Sequence, residues 1–547
     1  MKRYLQNHPD DNAAIALVDL GAGEPVAIPG ADFLLCSAVP SKHRFALCNL
    51  SPGDSVLVDG TLVGKAVTQV RQGELLSIRN LRHDARIFLP KSKEYSWCAP
   101  NVSQWQQKSY SGFRRSDGQV GTRNYWLVIP LVFCENRNVA VLKQAFEEEL
   151  GFAPPPRYRR QVAEMVRLLN QGKLGDIRNH VIEEHARPTA HRVFQNIDGI
   201  KFLLHTAGCG GTREDANSLC GLLAGCIHHS NVAGATVLSL GCQNAQTEIL
   251  REELTKRNPT FDKPLLVFEQ QEFGTESAML SRALQETFLG LVEANKISRA
   301  PVSLSHLTVG LKCGGSDGFS GISANPALGH VADLISALGG KALLAEFPEL
   351  CGVEQSLIDR CVRKQDELRF IQLMHAYAER AKAVGAGFDM NPSPGNIRDG
   401  LITDAMKSAG AARKGGTAPI TAVLDYPECA TTPGLNLLCT PGNDVESVTA
   451  EVGAGANIIL FTTGLGTPTG NPIAPVVKIS TNDALAAWMP DIIDLNAGAI
   501  IRGEKSVVEM GEAVLDLAIR VASGEVRTKA EVLAQDDFIP WKRGISL

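Results

Sequence analysis

No stretch of this chain stays apolar for the roughly 20 residues that a membrane-spanning helix needs, and its first residues, Met1-Lys2-Arg3-Tyr4-Leu5-Gln6-Asn7-His8, lack the apolar centre of a secretory leader. A membrane partner is therefore not expected, and a cytoplasmic location is. Neither sign of charge is in excess: 54 Lys and Arg against 59 Asp and Glu leave a formal net charge of -5, with the signs interspersed. A nucleic-acid surface would need a basic bias that is missing, so small molecules are the expected partners. No Walker-type phosphate loop occurs, and no GxGxxG follows a strand-like run with an acidic residue after it, so ATP and NAD use lack support. No two cysteines form a CxxC pair. Thirteen cysteines without a leader read as free thiols or metal ligands rather than a disulfide framework.

What is present is ordinary for a globular chain, 44% hydrophobic and 21% charged. A length of 547 residues exceeds what one core can serve, so about two to four domains are expected. Residues 1–92 alternate short apolar runs with turn residues, as in Ser55-Val56-Leu57-Val58 before Asp59-Gly60, the rhythm of a small β-rich domain. Residues 93–111, with Trp97, Pro100 and Trp105, read as a linker. Residues 112–299 and 300–547 each alternate apolar strand-like runs with amphipathic stretches, which predicts two α/β domains with substantial parallel pairing. A proline run and a basic segment of helical spacing mark a surface helical insertion at about 153–195.

The segment Lys312-Cys313-Gly314-Gly315-Ser316-Asp317-Gly318-Phe319-Ser320-Gly321-Ile322-Ser323-Ala324-Asn325-Pro326 combines a soft ligand, hydroxyls, a carboxylate and an amide with glycines that let a backbone approach a ligand. It reads as the floor of a reaction site. Cys134, Cys209, Cys242 and Cys313 all stand at or just beyond strand ends, where α/β proteins place ligand loops; metal or cluster ligation and inert thiols both remain open. His205, four residues before Cys209, suits iron ligation or proton transfer, or else orders its loop. His43 lies between Lys42 and Arg44, cations that would favour its neutral form and suit it to act as a base. Gly464-Leu465-Gly466-Thr467-Pro468-Thr469-Gly470 offers N–H and hydroxyl groups to a carboxylate or polyol.

These motifs occur together, and in this order, in a known family. Asp11-Asn12, His43-Arg44-Phe45-Ala46-Leu47, Asp117 through Asn124, the cysteine loops, Cys313 through Pro326, Asn391-Pro392-Ser393-Pro394-Gly395-Asn396 and Gly464 through Gly470 resemble the altronate/galactarate dehydratase family of sugar-acid hydro-lyases. Glu346-Phe347-Pro348-Glu349 and Thr432 through Leu438 followed by Pro441-Gly442-Asn443-Asp444 resemble its altronate branch. That branch carries Arg and Tyr where this chain has Leu465 and Thr469. The resemblance implies an N-terminal SAF-like β-clip domain before the two α/β domains. It also implies Fe2+ as cofactor, mononuclear or in a cluster, with Mn2+ as a substitute, and loss of water from D-altronate to give 2-dehydro-3-deoxy-D-gluconate in hexuronate catabolism.

Such a reaction removes a C2 proton and expels a C3 hydroxyl, which calls for a metal to stabilise the enediolate. Iron is expected on some of His205, Cys209, Cys242 and Cys313; the catalytic residues expected are His43 as base or acid, His205 as ligand or proton carrier, and Asp317 orienting hydroxyls. Asp11, Asn12, Ser316, Asn325, Asn396 and Thr467 are the expected substrate contacts, and a homodimer the expected assembly. Dehydration of galactarate or removal of sulfite from sulfolactate are alternatives of the same class; a sugar-acid sensor without turnover is the alternative of another.

Overall fold

A computed structural model describes residues 2–28, 31–91, 94–154, 157–180 and 192–546. The chain forms a small all-β unit followed by two α/β units. In the small unit, Ala13–Ala16 pairs antiparallel with Tyr4–Leu5 and Arg44–Ala46, and Ser55–Val58 with Thr61–Ala66. The expected Asp59-Gly60 turn closes that hairpin with both residues at positive φ, the geometry that matches strand twist. Phe45 anchors one core, edge-on to Tyr4 and Phe33.

The middle unit is closed off by a ribbon, Ser109–Arg114 antiparallel to Arg299–Ser303. Its main sheet is parallel, in the order Gly199–Phe202, Tyr125–Pro130, Val232–Ser239, Leu265–Glu269. Tyr125–Pro130 and Val232–Ser239 are buried along their whole length, as parallel strands covered on both faces are. The helix Arg157–Asn170 stands in the predicted insertion; residues 181–191 of that insertion lie outside the described residues.

The last unit is a seven-stranded parallel sheet in the order Ile420–Leu424, Gly434–Leu438, Lys341–Leu344, Thr308–Cys313, Ile458–Thr463, Val476–Ser480, Leu495–Asn496. The helices Ala324–Ala337 and Val507–Ala522 share one core with it, while Asp444–Gly453 and Arg213–His228 share another with both α/β sheets. The two sheets are stitched where their strands begin. Asn231 accepts from Thr122 N at 2.7 Å and donates to Ile473 O at 2.9 Å, and the Thr122 hydroxyl donates to Asn457 O at 2.7 Å.

The expected linker is not a free connector. Tyr95 Oη donates to Thr417 O at 2.7 Å and Trp97 Nε1 to Thr417 Oγ1 at 3.2 Å, which straps the segment along the last unit; just before it, Lys91 N donates to Glu367 at 2.9 Å. Its aromatic residues are docking groups, which composition alone reads as polar loop.

Candidate active site

In open parallel sheets a crevice forms where consecutive connections depart in opposite directions, outside the carboxyl ends of the strands. In the seven-stranded sheet that point lies between Thr308–Cys313 and Ile458–Thr463. The loops leaving those two strands are the glycine-rich segments 314–321 and 464–470. They lock together: Gly464 N and Leu465 N both donate to Gly315 O at 3.0 Å. Gly315 has φ +58, and a Cβ there would stand 3.0 Å from Thr467 Oγ1 and 3.3 Å from Leu465 Cβ.

Beneath this crevice runs a buried ladder of charge. Lys312 pairs with Glu346 and, at 2.9 Å, with Asp444; Lys414 lies 3.0 Å from Glu346 and 2.8 Å from Cys313 Sγ. Cys313 Sγ is 3.6 Å from Glu349, which Lys407 reaches at 2.8 Å. Three lysines thus face three carboxylates, which is what lets charge stay in a dry interior. Burial opposes the charge on Lys312, yet Asp444 and Glu346 hold it firmly protonated. Burial likewise works against Glu349, but Lys407 and Lys312 bring it down to about 2, while burial and Glu349 push Glu346 up. Glu346 has φ +69, a conformation that costs a non-glycine residue about 1–3 kcal/mol, and the ladder is what holds it there.

Cys313 was expected to bind iron. It does sit within 4.8 Å of Glu346 and Glu349 ligand atoms, but the Lys414 ammonium occupies the position a cation would take. Burial pushes the Cys313 thiol up, against the pull of Lys414. The four expected ligands are not brought together: among the described residues, no group of three or more ligand atoms within 4.8 Å of one another includes His205, Cys209 or Cys242. His205 commits both ring nitrogens to backbone, Nε2 donating to Pro130 O at 2.7 Å and Nδ1 accepting from Ala207 N at 3.1 Å. Burial brings it down to about 4, so it is neutral and orders its loop.

Asp317 is likewise saturated. Its carboxylate accepts from Thr481 Oγ1, Ser320 Oγ and Asn482 Nδ2 at 3.0–3.1 Å, from Phe319 N at 3.2 Å, and meets Lys42 Nζ at 3.2 Å. It positions rather than transfers protons. Four expected substrate contacts are committed to backbone: Asp11 to Gly60 N and His8 N, Asn12 to Leu57 N and Ser55 O, Asn325 to Gly410 O besides Thr462 Oγ1, and Asn396 to Ser393 N and Ser316 O. Ser316 and Thr467 stay beside Gly315 in the crevice loops. His43 is half-buried where the small unit meets the last one. Lys42 O lies against Gly318 and Gly400, positions where any Cβ would collide with it. The cations flanking His43 turn elsewhere, Lys42 to Asp317 and Asp399 and Arg44 to Gly400 O.

Sequence reading missed Lys42, Lys407, Lys414 and the two glutamates. Glu346 and Glu349 had a signal, since both sit in the loop after a buried strand. The lysines had none, because only the fold turns them inward.

The middle sheet has a switch point of its own, between Tyr125–Pro130 and Val232–Ser239. Cys134 follows the first of these strands, Cys242 the second, and Cys209 the neighbouring Gly199–Phe202. All three thiols are exposed. Their loops touch: Phe133 N donates to Ala207 O at 3.1 Å, Ala245 N to Gly208 O at 3.1 Å, and Asn244 Nδ2 to Gly211 O at 3.2 Å.

This arrangement has known counterparts. The chain matches the altronate/galactarate dehydratase SAF domain over residues 2–84, the D-galactarate dehydratase/altronate hydrolase second domain over 112–295 and the D-galactarate/altronate dehydratase C-terminal domain over 304–546. It belongs to the altronate and galactarate dehydratase family. Relatives of this dehydratase family include altronate dehydratase of Escherichia coli (strain K12), 31% identical over 527 residues and 96% of each chain. Altronate dehydratase of Bacillus subtilis (strain 168) is 31% identical over 529 residues, again 96% of each chain. Galactarate dehydratase (L-threo-forming) of Escherichia coli (strain K12) is 27% identical over 534 residues, 96% of this chain and 94% of that one. As a member of this family the chain is a hydro-lyase with a SAF domain at its N-terminus, and the sensor alternative falls away.

Proposed function

We propose that this dehydratase removes water from D-altronate to give 2-dehydro-3-deoxy-D-gluconate in hexuronate catabolism, as a cytoplasmic homodimer. The observation that carries the reading is the convergence of Ser316 and Thr467 beside Gly315 at the switch point, with the Lys42-His43 loop of the SAF domain seated against the same segment at Gly318. A sugar acid presents a carboxylate and a row of hydroxyls. Ser316 and Thr467 orient hydroxyls, and Lys42, held by Asp317 and Asp399, places positive charge beside the substrate anion. His43 takes the C2 proton or delivers one to the departing C3 hydroxyl.

Ferrous iron, with manganese as a substitute, is the proposed cofactor. When bound it supplies Lewis-acid stabilisation of the enediolate. The thiolates of Cys134, Cys209 and Cys242 fit it, being exposed soft donors on three contiguous loops. Three thiols on three loops would suit a cluster, in which each ligand holds a different iron.

The test is anaerobic formation of 2-keto-3-deoxy acid from D-altronate by iron-loaded protein, with galactarate and sulfolactate alongside. Product from altronate alone supports the proposal, and silence on altronate with turnover of another acid moves the substrate. His43→Ala is expected to lose at least about 100-fold in kcat; unchanged turnover would remove His43 from the chemistry. Serine at Cys134, Cys209 or Cys242 is expected to lower bound iron, whereas Cys313→Ser keeps it. One feature bears on which acid is taken: Leu465 puts an apolar side chain beside Gly315 where the altronate branch has Arg, which is why the other two acids are assayed alongside.

A further inference from the structure

His83 follows the last strand of the SAF domain, Leu81–Arg82; Cys351 follows the turn Phe347–Leu350; Asp404 opens the helix Asp404–Ala411. One ligand atom from each lies within 4.8 Å of the other two. Gly352 lets the three segments converge: it has φ +90, and a Cβ there would stand 2.9 Å from Ala405 Cβ and 3.5 Å from Ala85 Cβ. Asp404 is fully buried, and neither carboxylate oxygen has a hydrogen-bond partner. The polar group that faces it is the Cys351 thiol. Lys407, one turn further along the helix, is already engaged by Glu349 and Asn391 at 2.8 and 2.7 Å. A buried carboxyl whose one polar neighbour is a thiol is unfavourable for a fold to hold, and a cation between the two would satisfy both.

We infer that His83, Cys351 and Asp404 form a binding site for one divalent transition-metal ion of the zinc type, which clasps the SAF domain to the C-terminal domain. Nitrogen, sulfur and oxygen donors together suit a borderline ion, and three protein ligands leave a fourth position for water. Charge closes as well: thiolate and carboxylate balance the dication, and the imidazole stays neutral. The site is separate from the proposed iron thiolates, and its ion fixes the domain that carries Lys42 and His43.

The experiment titrates Co2+ anaerobically into metal-stripped full-length protein carrying Cys134→Ser, Cys209→Ser and Cys242→Ser, so that the exposed loop thiols do not contribute. The expected result is about one equivalent of Co2+ bound with a near-ultraviolet thiolate-to-cobalt band, and competition by Zn2+. Adding Cys351→Ala is expected to abolish the band. Adding His83→Gln, a milder change at a half-buried position, is expected to weaken binding by about tenfold or more with circular dichroism unchanged. Absence of stoichiometric uptake, a band that survives Cys351→Ala, or affinity unaltered by His83→Gln would overturn the site.

Discussion

Glu451 shows how one buried side chain sets a pH response. Its carboxyl accepts from Leu311 N at 3.0 Å on one oxygen and has no partner on the other, and burial followed by Glu346 raises it to about 8. Folded protein therefore keeps this proton from about pH 4.5 to 8 while unfolded chain releases it, and stability falls as pH rises through that window. Glu451→Gln keeps the acceptor for Leu311 and removes the titration. It is expected to flatten the pH dependence of urea unfolding and to gain on the order of 3 kcal/mol at pH 7; an unchanged slope would assign the dependence elsewhere. Lys312 is the opposite case, a buried cation whose removal leaves Glu346 to Lys414 alone and takes the paired cation from Asp444. Lys312→Met is expected to destabilise by about 3–5 kcal/mol in the same assay.

At the scale of elements, two close approaches decide whether the site assembles. Gly318 and Gly400 let the Lys42 carbonyl lie against the C-terminal domain, and Lys42 itself has φ +74. Gly318→Ala would push that loop away and carry His43 with it. Turnover is expected to fall by roughly 100-fold with iron content unchanged, a separation that a kcat measurement beside an iron assay reads directly. The second approach joins helices Arg213–His228 and Asp444–Gly453, where Gly225 faces Gly453 O with no room for a methyl group. Gly225→Ala is expected to cost about 1–3 kcal/mol, read as a lowered urea midpoint. The signature Asp117 through Asn124 works at the other end of the strands. Arg123 forks onto Glu531 at 2.8 and 3.0 Å and also donates to Val521 O at 2.8 Å, so that motif is structural.

Across the whole molecule, the loops of Cys134, Cys209 and Cys242 expose their thiols while the charge ladder lies inside. Removal of the proposed iron and disruption of the ladder should therefore have different consequences. Chelation of iron is expected to abolish turnover and leave the melting temperature nearly unchanged, whereas ladder variants lower it; a large drop in melting temperature on chelation would show that iron is part of the core. Among the described residues no helix is long and apolar enough to cross a membrane, in line with the absence of long apolar runs.

Fold class was legible because it rests on local pattern. Continuous apolar runs such as Trp126-Leu127-Val128-Ile129 and the Asp59-Gly60 turn dictate buried strand and hairpin wherever they occur, and motif order was enough to indicate the family. Site membership rests on which strand ends become neighbours, and periodicity carries no such information. Asn12, Asn325 and Asn396 read as ligand contacts because an amide in a loop is free to face a ligand; here the backbone takes both ends of the Asn12 and Asn396 amides, and Gly410 O with the Thr462 hydroxyl takes those of Asn325. Cys313 and Cys209 looked alike as cysteines at strand ends. Tertiary structure separates them, burying one beside the Lys414 ammonium and setting the other on an open edge, because strand order alone decides which charges a side chain meets.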